Sequence, residues 1–540
     1  MSQPTEKNSV RAVARAHGEQ IFLVLLLAGA TLGLLAPLMW DSLSWRLRHD
    51  TPFLLYMGYI IERFGMIPYR DFFDVNMLGS YLSYQMIGRF FGFSDAGIHR
   101  GDLALLLFLM GVTVAILWRL GRLAAWAGAV LFALIYLREG SAMTLQRDYI
   151  GVIPAAVGVA IAVGLPRVPV AWRALLAGIA FGCAAAIKPH AVIGLLPVLL
   201  YLTEEQLEGA ATWRTRGVAF FWNGVQAALG GLLPVLAYVG YLVYHGALDD
   251  FLSSALQYVP LYAELTKTHA LLTPEARRVY VVEEFLLFGK RLPLLAIGLV
   301  GIGAGFARFR ADATRRRVVS LVSLLAIAYM FYPAVTGQYW GYHYMPMTYF
   351  LCLGAAMVFV PGDAGTRWQQ RWLPRVLVLL MLGNLLYLSQ GFSPLFAQSN
   401  RATPKGGRVE AIATYLKENL RPGDTVQPLD WVSGGMLQAM LYADARPATE
   451  FLTYFDFFHH VDLPYIQQLR ERFVRRLDET RPRFIIKWIP TADWIKPGPR
   501  TAKDFPAAEA YIKVNYVERM KGKGYIIYER KDTSNAGTAE

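Results

Sequence analysis

The chain has 540 residues, 55% hydrophobic and 17% charged, with 53 Lys and Arg against 40 Asp and Glu for a formal net charge of +13. The charged share is well below the ~25% usual for soluble proteins. The apolar residues gather in long runs over 21–390, which excludes a string of soluble domains and a secreted, fibrous or disordered chain. The surplus of cations is read as the cytoplasmic loops of a polytopic membrane protein, and no nucleic-acid partner is expected.

In chain order, residues 1–20 are polar, with Lys7, Arg11 and Arg15, and read as a cytoplasmic segment. The apolar run 21–40 is long enough to cross a bilayer core of ~30 Å. It ends in Pro37, Met39 and Trp40 rather than the small residues of a cleavage site, so it reads as a retained first span. Further spans are expected at 101–118, 123–137, 149–165, 173–187, 190–202, 218–244, 285–307, 318–336, 345–360 and 374–390. The expected fold is thus a polytopic α-helical membrane protein with about eleven transmembrane helices. The shorter runs, 123–137 and the pair around Lys188-Pro189, suit flanking extension or broken helices that face protein. Cys183 and Cys352 both lie inside apolar runs, so neither a disulfide framework nor a cysteine metal site is expected.

Alternate loops carry Arg119 and Arg122, Arg167 and Arg173, Arg214 and Arg216, Arg308 to Arg317, and Arg367, Arg371 and Arg375. The positive-inside rule makes these loops and the N-terminus cytoplasmic. The expected location is a bacterial cytoplasmic (inner) membrane, with the C-terminal part periplasmic or extracellular. Acids and aromatics collect in the opposite loops, 41–100, 138–148, 245–284 and 337–344. The first of these is too long for a mere connector. Residues 52–64 and 77–91 read as two amphipathic helices lying on the membrane surface.

The region 21–390 is therefore expected to be a transmembrane domain with the outer loop 41–100. A Ser/Gln/Pro/Gly-rich linker, 391–408, leads to a soluble α/β domain, 409–540. In that domain helices are expected at 409–420 and 507–515, with strands at 424–428, 484–488 and 524–528.

Three constellations carry candidate chemistry. Asp50, Asp71 and Asp74 share the first outer loop, where a carboxylate can take the proton of a hydroxyl attacking a sugar C1. A solvated loop, or an acid paired with Arg70, accounts for the same residues. Arg147 and Asp148 sit at the outer mouth of a span, and Lys188 sits between two apolar runs. A cation at that depth is costly and is usually functional or paired. It suits the charge of a phosphate, and equally a structural ion pair with Asp148. Gln338, Tyr339, Trp340, Tyr342, His343 and Tyr344 form an aromatic cluster, which reads either as an interfacial belt or as a sugar-stacking wall with His343 as its polar handle. His269 and the pair His459-His460 are weak signals for a metal.

The order and side of Asp50, Asp148, Lys188 and Tyr339 resemble the C-superfamily of integral membrane glycosyltransferases. The similar groups are the dolichyl-phosphate-mannose–protein mannosyltransferases and the bacterial aminoarabinose and lipopolysaccharide-core sugar transferases. The resemblance spans about 20–390 in layout. Asp50 matches the family's acid after the first span, although Thr51 stands where a Glu is usual. Asp148 matches its outer acid, Lys188 its phosphate-binding Lys, and Tyr339 or Tyr342, with His343 ahead of Pro346, its late outer aromatics.

The resemblance implies a polyprenyl-phosphate-linked sugar donor held by Lys188 and Arg147, with Asp148 orienting them. It implies Asp50 as base, with Asp71 and Asp74 lining the cleft. A glycolipid, an envelope glycan or a protein would be the acceptor, and membrane lipids would surround the chain. Some relatives bind a divalent metal, and the sequence leaves that open without a strong ligand set. Two rivals stand beside this reading. A lipid-linked polysaccharide polymerase or ligase would carry its large loop later in the chain. A lipid or solute transporter would show repeats or acids deep in the spans.

Overall fold

A computed structural model describes residues 5–207, 211–288, 291–362, 368–388, 398–431, 434–490, 495–496 and 498–531. The first part of the expected linker, Arg367 and the last residues of the expected final span lie outside these.

Six helices among the described residues are long and apolar enough to cross a membrane: His17–Ser42, Asp95–Leu120, Arg147–Gly164, Val170–Ile187, Trp213–Tyr244 and Ala313–Thr336. The pair Pro274–Leu287 and Leu292–Arg308 makes a seventh if it counts as one bent span. The other four expected spans fall on shorter helices, Arg122–Arg138, Leu195–Gln206, Met345–Ala355 and Trp368–Gly383. Among the described residues six or seven helices are thus of spanning length, and four of the eleven expected spans fall on shorter ones.

The chain divides into two compact units. The first comprises Met1–Ser44, Asp102–Leu236 and Val282–Ala397, and the second Trp45–Gly101, Ala237–Val281 and Gln398–Glu540.

In the first unit small residues let helix backbones meet, as is common between membrane helices. A Cβ built on Gly178 would lie 2.0 Å from the Ala227 carbonyl oxygen, and one on Gly230 2.0 Å from that of Leu175. This brings Val170–Ile187 against Trp213–Tyr244. The latter turns Phe221, Trp222, Leu229, Leu232, Leu233 and Leu236 outward. Such an apolar outer face suits lipid contact.

In the second unit the helix Thr51–Phe64 has ten of its 14 residues buried. It crosses Leu78–Phe91 at Gly58, whose hydrogen faces the Gln85 backbone nitrogen; a Cβ there would sit at 2.6 Å. A five-stranded sheet has the order β2-β1-β3-β5-β4, with β1 Thr425–Leu429, β2 Arg446–Pro447, β3 Phe484–Trp488, β4 Tyr516–Gly522 and β5 Tyr525–Arg530. Strands β1, β2 and β3 run parallel; β5 is antiparallel to β3 and β4. The helices Arg408–Asn419 and Pro506–Asn515 fall where the sequence placed them. The amphipathic helix Pro464–Thr480, buried through Ile466, Leu469, Phe473 and Leu477, was not anticipated.

Candidate functional site

The site begins at a helix end. Val170–Ile187 stops because Pro189 disfavours helical backbone at the residue before it. Lys188 is accordingly extended (φ −145°, ψ 112°) at the C-cap. Its ammonium lies 3.2 Å from Asp148 Oδ1. Asp148 is the second residue of Arg147–Gly164 and is fully buried. The two helices form a tightly packed pair, so a short loop brings together residues 40 positions apart in sequence.

The third partner comes from the loop before Met345–Ala355. His343 Nε2 is 3.2 Å from Lys188 Nζ. On the other side of the ring, Nδ1 lies 2.9 Å from the Gln338 carbonyl oxygen. A carbonyl only accepts, so Nδ1 carries the proton and Nε2 presents its lone pair to Lys188. Burial and then the Lys188 charge hold His343 far below the ordinary imidazole value, to about 3. The imidazole is therefore neutral at physiological pH and acts as an acceptor. The Tyr342 ring lies under the ammonium at 5.8 Å, a cation–π contact, and stacks on Trp340 with 3° between ring planes.

Two residues that the sequence reading did not assign complete this cluster. Tyr332 is close enough to Asp148 to feel its charge, and His190 packs edge-on to Tyr332 at 4.1 Å between ring centroids. The position of His190 two residues after Lys188 was a usable signal; nothing in the sequence pointed to Tyr332. Arg147 adds positive charge that acts on Asp148 and His343. Tyr339 is buried in the same loop as His343.

Asp50, Asp71 and Asp74 belong to the second unit, where each has a different setting. Asp50 caps Thr51–Phe64 by position, without a side-chain capping bond. Its Oδ1 lies 3.0 Å from His49 Nδ1, with 17% of its side chain exposed. Asp71 accepts Arg70 Nε and Nη2, both at 2.8 Å, and the Ile67 amide at 2.8 Å. Partial burial works to raise its carboxyl, and these donors outweigh that and hold it below the usual range. Asp74 is buried and accepts Tyr81 Oη at 2.7 Å and Asn76 Nδ2 at 2.6 Å.

His269 and His459 are both lowered to about 4 by burial, and His459 Nε2 donates to the His269 carbonyl at 2.9 Å. Among the described residues no three His, Cys, Asp or Glu side chains gather as a metal site.

No protein-family model matches the chain, and no curated protein matches it in sequence. Solved structures do. The apo ArnT of Cupriavidus metallidurans superposes with a TM-score of 0.52 at 13% identity, over 94% of this chain and 97% of that one. The oligosaccharyltransferase of Archaeoglobus fulgidus, tethered to an acceptor peptide, gives 0.49 at 13% identity over 97% and 75%. At such identity a likeness shows fold alone, and ArnT carries it: the chain is similar in fold to ArnT.

Proposed function

We propose that this chain is a glycosyltransferase that moves a sugar from a polyprenyl-phosphate donor to an acceptor hydroxyl. The acceptor is carried on a glycolipid, an envelope glycan or a protein at the outer face of a bacterial inner membrane. The observation that carries the reading is Lys188, a cation 12% exposed at a helix end, aimed by a fully buried carboxylate and a neutral imidazole. A merely structural lysine needs one counter-charge. This one has its direction set from two further sides, which suits a task of meeting charge as it forms.

The chemistry follows from charge balance. The acceptor oxygen attacks sugar C1 as its proton passes to the Asp50 carboxylate. The C1–O bond to the lipid phosphate breaks, and its electron pair stays on the phosphate. A phosphodiester thereby becomes a monoester and gains negative charge, which Lys188 and Arg147 stabilise most in the transition state. A single displacement inverts the anomeric carbon. No step is routed through a divalent metal.

The test is donor binding and transfer by the full chain in liposomes. Lys188→Ala should weaken binding of the polyprenyl-phosphate sugar roughly ten- to a hundredfold, the size of a charge-assisted hydrogen bond. Unchanged donor affinity overturns the assignment. Mass spectrometry of lipid-linked sugars and envelope glycans in a deletion strain names the sugar and acceptor.

A further inference from the structure

A cavity of about 200 Å³ opens within the second unit, beside the loop that carries Asp71 and Asp74 and lined by neither of them. Its walls come from three segments: the loop at Tyr69 and Phe73, the helical stretch holding Asp250, Ser253 and Gln257, and one face of Pro464–Thr480. That volume is below the ~300–1,000 Å³ of drug-sized sites. It suits one small ring.

The lining has a definite chemistry. Tyr69, Phe73 and Tyr465 supply aromatic surface, while Asp250, Gln257, Gln468 and Arg472 supply planar polar groups. The rings are braced from behind. Phe73 packs on Tyr258 and Phe451 at 5.1 and 5.8 Å between centroids. Tyr69 packs on Phe251 at 5.0 Å, and its hydroxyl is bound to the Asn76 carbonyl at 2.7 Å and to Tyr238 Oη at 3.0 Å. Ser253 stands beside Tyr465 in the same wall. Arg472 is fixed through Nε, 2.7 Å from Glu450 Oε1.

Two departures from regular backbone border the same cavity. Tyr69 has φ +70°, a costly conformation for a residue with a Cβ. The stretch Ser254–Tyr258 is a π-turn inserted in its helix. Strain of both kinds tends to gather at binding sites.

We infer that this cavity is a subsite for one neutral sugar ring of the acceptor, with the aromatic faces against its C–H surface and Asp250, Gln257, Gln468 and Arg472 on its hydroxyls. Hydroxyls both donate and accept, so they suit a wall that offers a carboxylate, two amides and a guanidinium together. An anion suits it less, because Asp250 faces the space and Glu450 already engages Arg472. The inference rests on the glycosyltransferase reading for the word acceptor, while the binding itself can be tested without turnover.

The experiment is saturation-transfer NMR on the full chain in lipid nanodiscs, since alkyl-glycoside detergents would compete. The probes are the methyl glycosides of glucose, galactose, mannose and N-acetylglucosamine, with inorganic phosphate as the anion arm. At least one glycoside should show saturation. Its binding should weaken roughly tenfold in Gln468→Ala or Asp250→Asn, the loss expected for one or two hydrogen bonds. Gln468 is exposed on its helix, so that variant leaves the fold intact. No saturation of any glycoside, saturation unchanged by both variants, or a response to phosphate alone overturns the inference. Glycoside binding without sugar transfer from lipid donors would instead count against the catalytic reading only.

Discussion

The Lys188–Asp148 pair can be tested by a double-mutant cycle built from Lys188→Met, Asp148→Asn and the two together. At 3.2 Å, with an effective dielectric constant of about 20, the attraction is about 5 kcal/mol. Each single change leaves one charge buried without that attraction. Asp148 has no exposed surface, so Lys188→Met should cost about 3–5 kcal/mol, the range for a broken buried pair. Lys188 keeps 12% exposure and the His343 lone pair, so Asp148→Asn should cost less, about 2–3 kcal/mol. The double variant removes both charges, and its loss should fall short of the sum by about 3 kcal/mol. Unfolding titrations of the full chain in mixed micelles measure all three. A coupling below about 1 kcal/mol, the value of an exposed pair, would refute a buried Lys188–Asp148 ion pair.

Three further outcomes are expected. Because His343 is held at about 3 against an ordinary 6.5, the unfolded chain takes up its proton first; its contribution to stability is lost as pH falls below about 6.5, by up to about 1.4 kcal/mol per unit, and His343→Gln should remove that slope from pH-dependent unfolding. Asp456 runs the other way. Burial raises it from 3.8 to about 6, outweighing bonds from Thr453 and Tyr258, so stability should fall by up to about 3 kcal/mol as pH rises from 4 to 6, and Asp456→Asn should flatten that fall. Asp50→Asn should reduce transfer about 10²–10⁴-fold with donor affinity unchanged, whereas full activity in the liposome assay would remove Asp50 as base.

Long-period features were legible in the sequence and local irregularities were not. The ends of Arg147–Gly164 and Val170–Ile187 follow from apolar length and from Pro189, so the meeting of Asp148 with Lys188 was within reach. The tail strands β1, β3 and β5 were visible as short apolar runs, while β4, Tyr-Val-Glu-Arg-Met-Lys-Gly, has only its first residue buried and carries no apolar run. The helix Pro464–Thr480 had a readable signal in Ile466, Leu469, Phe473 and Leu477, masked by its many charges. Some of the arginines counted as loop charges turn out to be paired with acids: buried Arg375 and partly buried Arg371 lie 2.7 and 3.1 Å from Glu19, and buried Arg173 lies 2.7 Å from Glu205. Sequence counts charges without showing which are neutralised, and that is why a basic loop and a buried ion pair look alike there.

The same distinction separates the three aspartates of the first outer loop. A general base needs a lone pair open to the incoming proton, and donors that favour its ionised form weaken it as a base. Asp71 already accepts a bidentate guanidinium and a backbone amide, and these donors hold its carboxyl below the usual range. Asp74 is closed in by Tyr81 and Asn76, and its own carbonyl accepts the Ser254 hydroxyl at 3.0 Å. Those two settings tie the loop to its surroundings, and their replacement should be read first as a loss of fold. Asp50 stands at a helix start without a side-chain capping bond and pairs with an imidazole, a partner able to exchange a proton. If one of the three carboxylates is the proposed base, its pairing with an imidazole makes Asp50 the one to replace first, with transfer and donor affinity read separately.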